Sequence, residues 1–308
     1  MEKILERIVE QNRKHIEDGA VATYIPKLAE VDKNLLGVAI IDTRDGEKEY
    51  GFGDFNHKFA IESTSKVLTL VLAILDNGLE AVFDKIGTEP THFAFNSILN
   101  MEIRESAKPT NPFINAGAIA VTSMIKGSSV EERVDRILKF MRKLANNDDI
   151  YVNDELFLSE KETGNINRSL AYYMEGHDMM QGSVDDILDV YFQQCSIEIT
   201  AMDLARMGSV LANKGTLPWS GEKILEPEVA AMIKGLMTTC GLYDESGSFA
   251  VNIGIPSKSG VGGGIMAIVP NKMGIGIFGP ALSVAGNSVA GMGILKDISR
   301  ELKLDIFE

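Results

Sequence analysis

Segments with the pattern of β-strands lie near both ends of the chain, and this arrangement constrains the fold more than any other feature of the sequence. Toward the amino terminus, residues 36–41 and 48–52 flank Asp45-Gly46, a dipeptide typical of a tight hairpin turn. Because the segments in between are helical in pattern, both chain ends are predicted to contribute to one antiparallel sheet. Toward the carboxyl terminus we expect strands at residues 249–253, 264–269 and 273–278.

The middle of the chain is predicted to be mostly α-helical. Apolar residues recur there at helical spacing, and the capping pattern Thr200-x-x-Asp203 indicates one helix start. We therefore predict an α+β fold in which residues 1–62 and 216–308 form a sheet lobe flanked by helices and residues 63–215 form a helical lobe. The two lobes would make one compact unit with the functional site in their cleft. Helices are expected near 2–17, 64–77, 115–125, 130–144, 167–174, 184–194, 227–240 and 288–302.

A serine with a lysine three residues later stands where an extended segment gives way to a helical one. Ser63 and Lys66 would lie on one face of that helix, so a lysine kept neutral by burial could accept the serine proton. At a helix start, unpaired N–H groups also favour an oxyanion. The further copies of the pattern are weaker, because Ser123 falls at a helix end and Ser220 in a Pro/Gly turn. Taken alone, the motif also fits a capping serine and a solvated lysine.

A second motif, Lys258-Ser259-Gly260, precedes one of the expected carboxyl-terminal strands. Serine acylases of the β-lactamase and penicillin-binding class pair Ser-x-x-Lys with Lys-Thr-Gly on a strand that lines the site, and here Ser259 takes the place of the threonine. The glycine would let the backbone approach a substrate, while Lys258 and the hydroxyl supply charge and hydrogen bonds. The alternative is a glycine-rich hairpin without a role in chemistry.

The charge of the chain restricts its partners. A formal net charge of -14 and an isoelectric point near 4.8 argue against nucleic acid or an anionic membrane, so we expect a small soluble substrate. The amino-terminal segment is charged and helix-periodic, unlike a secretory signal, and the apolar run 67–75 is too short to span a bilayer. Cys195 and Cys240 are expected to be buried free thiols, which favours a cytoplasmic location.

Neither a metal nor a cofactor is expected. The segment Gly274-x-Gly276-x-x-Gly279 matches a dinucleotide-binding fingerprint, but it lies inside a strand-like run instead of opening a helix. No Gly-x-Ser-x-Gly elbow occurs, which disfavours a Ser-His-Asp enzyme. The histidines show no metal-ligand spacing; they are His15, His57, His92 and His177.

Several sequence blocks, in order, resemble the serine-dependent glutaminases, a family with a β-lactamase-like fold that hydrolyses L-glutamine to L-glutamate and ammonia. The resemblance runs from about Tyr24 to Ser288, which is most of the chain. The blocks are Asn-Pro-Phe-Ile-Asn-Ala-Gly-Ala at 111–118, the pair Glu160 and Asn167, Tyr-Phe-Gln-Gln-Cys at 191–195, Cys-Gly-Leu-Tyr at 240–243 and Lys-Ser-Gly-Val at 258–261.

The resemblance implies that Ser63 is the nucleophile, and we expect Lys66 to be its base and Tyr243 a proton relay to the leaving ammonia. Glutamine carries an ammonium group, for which Glu160 supplies the anion. The remaining implied substrate contacts are Asn115, Asn167 and Tyr191 as neutral donors to the substrate carboxylate, Val261 as an oxyanion N–H, and Tyr24 near the amide end.

The chain departs from the family at Glu62, where the family usually has glutamine, and this places a second carboxylate near the cleft. Phosphate-dependent activation is not implied, since the long terminal segments of mammalian relatives are lacking. We expect a homo-oligomer, a dimer or a tetramer. The alternatives are a β-lactamase or D-alanyl peptidase, disfavoured by the missing signal sequence, and a non-catalytic ligand sensor that would not need a neutral Lys66.

Overall fold

Strands from both ends of the chain form one antiparallel sheet in the computed structural model, which describes residues 1–44, 47–102, 108–180 and 182–308. The order is β2-β1-β8-β7-β6, so the prediction that the chain ends share a sheet is confirmed. The expected turn at Asp45-Gly46 lies outside the described residues. The strands are β1 (Gly37–Asp42), β2 (Lys48–Gly53), β3 (Phe59–Ala60), β4 (Tyr151–Val152), β5 (Ile197–Ile199), β6 (Ser257–Ser259), β7 (Gly264–Val269) and β8 (Met273–Phe278).

Helices occupy most of the chain between β3 and β6. The amino-terminal helix ends at Asn12, earlier than expected, and continues as a 3₁₀ helix, Arg13–Asp18. Within the described ranges, no helix has the length and apolarity needed to cross a lipid bilayer. The α-helices are α1 (Glu2–Asn12), α2 (Ser65–Asn77), α3 (Leu79–Lys85), α4 (Leu99–Glu102), α5 (Asn115–Ser123), α6 (Val130–Ala145), α7 (Asp154–Thr163), α8 (Asn165–Glu175), α9 (Val184–Cys195), α10 (Ala201–Ala212), α11 (Pro227–Cys240), α12 (Ser246–Asn252) and α13 (Val289–Leu302).

Both faces of the main sheet are covered by helices, which explains why β1, β7 and β8 are buried along their whole length. Val38 and Ile277, which are register partners, point into a core shared with α1 and α13. The alternate residues, such as Ile41 and Met266, join a larger core formed with the helices of the middle of the chain.

Glycines in β8 allow α10 to pack directly against the sheet backbone. A Cβ atom on Gly274 would stand 2.1 Å from the carbonyl oxygen of Ala205, and one on Gly276 would stand 1.9 Å from that of Ala201. Neither position accepts a side chain without moving the helix. The fingerprint-like glycine spacing therefore serves helix packing, and it lies inside a strand as the sequence predicted.

The strand predicted at residues 249–253 is wrong, since Ser246–Asn252 forms α12. Phe249 and Ile253, four residues apart, are buried in the sheet-side core, whereas Val251 between them is 82% exposed. A strand would place all three on one face, so the burial follows the helical period. The side chain of Ser246 accepts a hydrogen bond from the Leu242 N–H, which helps to start this turn.

Candidate functional site

Ser63 lies in a single 3₁₀ turn, Glu62–Thr64, that leads into α2. Just before it, β3 pairs with β5, and the Ile61 N–H donates to the Ile197 carbonyl oxygen at 2.8 Å, which holds the entrance to the turn. Gly260 packs against the backbone of Ser63, because a Cβ atom there would be 3.1 Å from the Ser63 nitrogen. Ser63 therefore stands at a helix entrance, as predicted, and the Lys258-Ser259-Gly260 segment lies beside it.

Lys66 is buried in the first turn of α2. Its Nζ donates to the side-chain Oδ1 of Asn115 at 2.7 Å and to the carbonyl oxygen of Phe113 at 3.2 Å. Burial lowers the pKa of this lysine to about 8. An amine with that pKa is partly neutral near physiological pH, so the group can accept a proton from a neighbouring hydroxyl.

Tyr243 also lies beside Ser63. Its phenol donates to the Ser259 carbonyl oxygen at 3.5 Å. Burial is the main cause of the raised pKa of the phenol, and the interaction with the Ser63 hydroxyl acts to lower that pKa. Its ring packs against Phe95, with 4.9 Å between ring centroids, and Lys258 Nζ lies 4.5 Å from its centroid. The backbone of Tyr243 adopts a positive φ of 55°, which is uncommon for an aromatic residue and places the ring in this position.

Lys258 and Ser259 are both fully buried in β6 and do not line the cavity around Ser63. Lys258 Nζ donates to the Ser259 carbonyl oxygen at 2.5 Å, and burial lowers the pKa of the lysine far below its usual range. The Ser259 hydroxyl donates to Asn287 Oδ1 at 2.5 Å, and Asn287 Nδ2 donates to Glu245 Oε2 at 2.5 Å. These contacts tie β6 to the turn that carries Tyr243.

One cavity of about 610 Å³ collects most of the side chains singled out from the sequence. Lys66 lies beneath its floor, and Tyr243 lies in the wall of a neighbouring cavity of about 620 Å³ that shares Phe95 with the first. The predicted residues that line the first cavity are Tyr24, Ser63, Asn115, Glu160, Asn167, Tyr191 and Val261.

Two asparagine amides connect Lys66 to the cavity wall. Asn115 begins α5 and receives the Lys66 hydrogen bond at its Oδ1. Its Nδ2 donates to Asn167 Oδ1 at 2.9 Å, and Asn167 lies in α8. Three helices that are distant in sequence therefore meet at one hydrogen-bonded chain.

Glu160 supplies a buried carboxyl group to the same cavity from α7. It is 6% exposed, and burial raises its pKa to about 7. A side-chain hydrogen bond joins it to Glu62, the residue immediately before Ser63. The cavity thus presents both carboxyl groups and asparagine amides, which suits a ligand carrying both an ammonium and a carboxylate group.

Sequence reasoning identified Cys195 as a buried free thiol but missed that it lines the cavity. Tyr191 and Cys195 are four residues apart in α9 and share a side-chain hydrogen bond, so helical spacing from Tyr191 was an available signal. No sequence pattern indicated that Phe95 lines the cavity, because its ring is positioned by packing against the ring of Tyr243, which is distant in the chain.

The other serines with a lysine three residues later lie elsewhere. Ser123 is the last residue of α5, and its hydroxyl donates to the Ala120 carbonyl oxygen at 2.7 Å. Ser220 lies in a turn and accepts a hydrogen bond from the Glu222 N–H at 3.3 Å. Neither lines the cavity around Ser63.

Comparisons with known proteins agree on one family. The family model for glutaminases matches residues 19–307. The protein described as Glutaminase 1 of Clostridium perfringens is 60% identical over 303 residues, 98% of either chain. A solved structure described as a probable glutaminase superposes with a TM-score of 0.93 at 38% identity and covers 99% of each chain. A covalent complex of a Bacillus subtilis glutaminase with 5-oxo-L-norleucine, formed from 6-diazo-5-oxo-L-norleucine, superposes with a TM-score of 0.89 at 35% identity, again over 99% of each.

Proposed function

The chain belongs to the glutaminase family, with its β-lactamase-like fold, and hydrolyses the side-chain amide of L-glutamine to L-glutamate and ammonia; from this premise we propose which residues perform the reaction. The observation that carries the assignment is the single cavity in which Ser63, Glu160 and Asn167 meet. Ser63 is the nucleophile, Lys66 is its base, and the hydroxyl of Tyr243 relays a proton to the leaving group.

In the first step, Ser63 Oγ bonds to the amide carbon of glutamine and its proton passes to Lys66. The carbon–nitrogen bond then breaks, and the nitrogen leaves as ammonia after receiving a proton through Tyr243. Water next attacks the glutamyl ester, the ester carbon–oxygen bond breaks, and the proton lost by water returns Ser63 to its hydroxyl form. The backbone N–H groups of Ser63 and Val261 stabilise the oxyanion in both steps.

The two ends of the substrate backbone are bound by different chemistry. Glu160 pairs with the α-ammonium group, and its burial makes that pairing selective for a cation. Asn115, Asn167 and Tyr191 donate hydrogen bonds to the α-carboxylate without adding charge. Tyr24, at the rim of the cavity, closes over the amide end. Lys258, Ser259 and Gly260 support the wall behind the reacting atoms.

Covalent trapping tests the nucleophile directly. Treatment with 6-diazo-5-oxo-L-norleucine should add one 5-oxo-norleucyl group to the wild-type chain, with loss of dinitrogen, and intact-mass measurement would detect it. Ser63→Ala should neither gain this mass nor release glutamate from L-glutamine. Ser123→Ala and Ser220→Ala are matched controls that keep both properties. A full-strength adduct on Ser63→Ala would contradict the assignment.

The family match does not favour the alternatives of a β-lactamase, a D-alanyl peptidase or a non-catalytic sensor. We also propose a cytoplasmic location, supported by the unpaired buried thiols of Cys195 and Cys240. A homo-oligomer, dimer or tetramer, stays a prediction that light scattering on the purified chain tests. The division into a sheet lobe at 1–62 and 216–308 and a helical lobe at 63–215 likewise stays a proposal, which limited proteolysis can examine.

A further inference from the structure

Glu62 is an unusual residue for its position. It is 4% exposed, it lies directly before Ser63, and its backbone has a positive φ of 46°. In the part of the chain that the structure describes, its Oε1 is the one fully buried side-chain oxygen or nitrogen without a hydrogen-bond partner. A buried carboxylate oxygen in that condition is costly, whereas the carbonyl oxygen of a neutral carboxylic acid costs much less.

Glycines hold the Glu62 side chain in this place. A Cβ atom on Gly260 would stand 3.2 Å from Glu62 Cβ, and one on Gly262 would stand 3.3 Å from Glu62 Cγ. The glycine-rich loop therefore lies against the side chain from one side.

The side chain of Glu62 meets that of Glu160 in a hydrogen bond between two carboxyl groups. Two ionised carboxylates have no hydrogen to share, so this contact requires a proton on one of them. Burial and the neighbouring charge of Glu160 raise the pKa of Glu62 well above its usual range, whereas the hydrogen bond from Glu62 acts to lower the pKa of Glu160. Glu62 Oε1 is buried without a hydrogen-bond partner, and a neutral acid costs far less in that place than a carboxylate, so the proton belongs to Glu62 and the charge to Glu160.

We propose that Glu62 is a positioning residue that keeps its proton and donates it to the Glu160 carboxylate, so that the ammonium subsite carries a single negative charge. The proposal rests on the assignment of Glu160 to the substrate ammonium group. The acid performs the donor role that an amide N–H would perform from glutamine at the same position. Unlike an amide, the acid can lose this proton. Above the pH at which it does so, the subsite no longer carries a single negative charge.

The groups that face Glu62 support this division of charge. Only Lys66 and Glu160 among them change charge near neutral pH. The other facing groups are phenols and a thiol. Burial raises the pKa values of Tyr191, Cys195 and Tyr243, and even an ordinary phenol stays neutral to well above pH 7. The facing phenols and thiol are those of Tyr24, Tyr191, Tyr243 and Cys195.

Ionisation of Glu62 would affect the reaction through its neighbours. A second negative charge beside Glu160 would repel the first and would also raise the pKa of Lys66, which would then keep its proton and fail as a base. We therefore expect kcat/KM to decline at alkaline pH in the wild type. Glu62→Gln has no proton to lose at this position, so the part of the alkaline decline that follows ionisation of Glu62 should disappear in that variant, and only the decline caused by deprotonation of the substrate ammonium group should remain.

The test compares Glu62→Gln, which keeps a donor, with Glu62→Met, which has a similar length and no donor. Glu62→Met should lower kcat/KM for L-glutamine by about 30-fold, mainly through KM, because the Glu160 carboxylate loses a charge-assisted hydrogen bond. Glu62→Met should also shift the acid limb of the pH profile of kcat/KM to higher pH, since the pKa of Glu160 rises when its hydrogen-bond donor is lost. Glu62→Gln should retain at least about tenfold more activity than Glu62→Met.

An infrared measurement tests the proton without substrate. The free wild-type enzyme at pH 8 should show the carbonyl stretch of a buried protonated carboxyl, shifted in heavy water, and Glu62→Gln should lack it. The absence of that band in the wild type would overturn the proposal. So would an equal loss of kcat/KM for L-glutamine in Glu62→Gln and Glu62→Met. Should Glu62→Met fail to fold, the infrared band and the alkaline profile of Glu62→Gln still decide. If Ser63 is not the nucleophile, Ser63→Ala will still be labelled in the trapping experiment, and the infrared band of the free enzyme will be unaffected. The two failures can therefore be told apart.

Discussion

Glu160 provides the sharpest test of substrate recognition. Replacing it by glutamine keeps the size of the side chain and its hydrogen bonds but removes the charge that we propose pairs with the substrate ammonium group. At 6% exposure, little water can compensate for that loss. Truncating one partner of a buried charge pair costs about 2–5 kcal/mol, and the retained hydrogen bonds place Glu160→Gln near 3 kcal/mol. We therefore expect kcat/KM for L-glutamine to fall by about 10²-fold.

The assay measures glutamate release from L-glutamine and ammonia release from glutaramate, which lacks the α-amino group. Glutaramate should be a poor substrate of the wild type, and Glu160→Gln should change its kcat/KM by less than about fivefold. Glu162→Gln is the matched control, because Glu162 is an exposed residue of the same helix. Equal losses on both substrates would show that Glu160 does not bind the ammonium group.

The pH dependence gives an independent measurement of the same group. Because burial raises the pKa of Glu160 to about 7, the residue is a carboxylate above that pH and neutral below it. The kcat/KM for L-glutamine should therefore fall as the pH drops through about 7, and glutaramate should not show this limb. Both substrates should share a rise near pH 8 from deprotonation of Lys66. A Glu160 limb that persists in Glu160→Gln would refute this reasoning.

Three further predictions concern the unit of catalysis and the fold. Ser63→Ala and Lys66→Ala should each remove most glutamate release, and the double variant should be hardly worse than either, since the two act as one unit. Gly276→Ala should lower the free energy of unfolding by about 3 kcal/mol, because the new Cβ atom would meet the α10 backbone. Denaturant titration measures this change, and Gly235→Ala is the control that should not destabilise the protein, since a Cβ atom there would have no neighbour within 4 Å. Thr200→Ala should cost about 1 kcal/mol by removing the capping box of α10, and an unchanged midpoint would contradict that role.

The main elements of this fold could be predicted because their signals are local. Residues 264–269 and 273–278 are apolar runs bounded by turn residues, and they form β7 and β8 over those limits. The capping box at the start of α10 could be predicted because Thr200 is followed by Asp203 three residues later. The segment 249–253 failed because a short apolar run has no clear period, and only the core it packs against makes it helical.

The candidate site was predictable to a similar degree. The resemblance to the glutaminases implied that Ser63, Glu160 and Asn167 share one site, and the structure brings these three residues to one cavity. What the sequence could not reveal is the contact between Glu62 and Glu160, since they are distant in the chain and nothing local indicates that two like charges meet. Nor could it show that Lys66 is anchored on Asn115, because such a bond depends on how α2 packs against α5.

The amide chain that starts at Lys66 has a consequence for the polarity of the cavity. Lys66 donates to Asn115, so Asn115 turns its oxygen toward Lys66 and its nitrogen toward Asn167. Asn167 must then use its oxygen to accept, which leaves its N–H groups for the cavity that it lines. Lys66, the proposed base, thereby determines which end of each amide faces the cavity. In the proposed complex the glutamine carboxylate accepts hydrogen bonds from these N–H groups, whereas a ligand group that itself donates would have no partner in them.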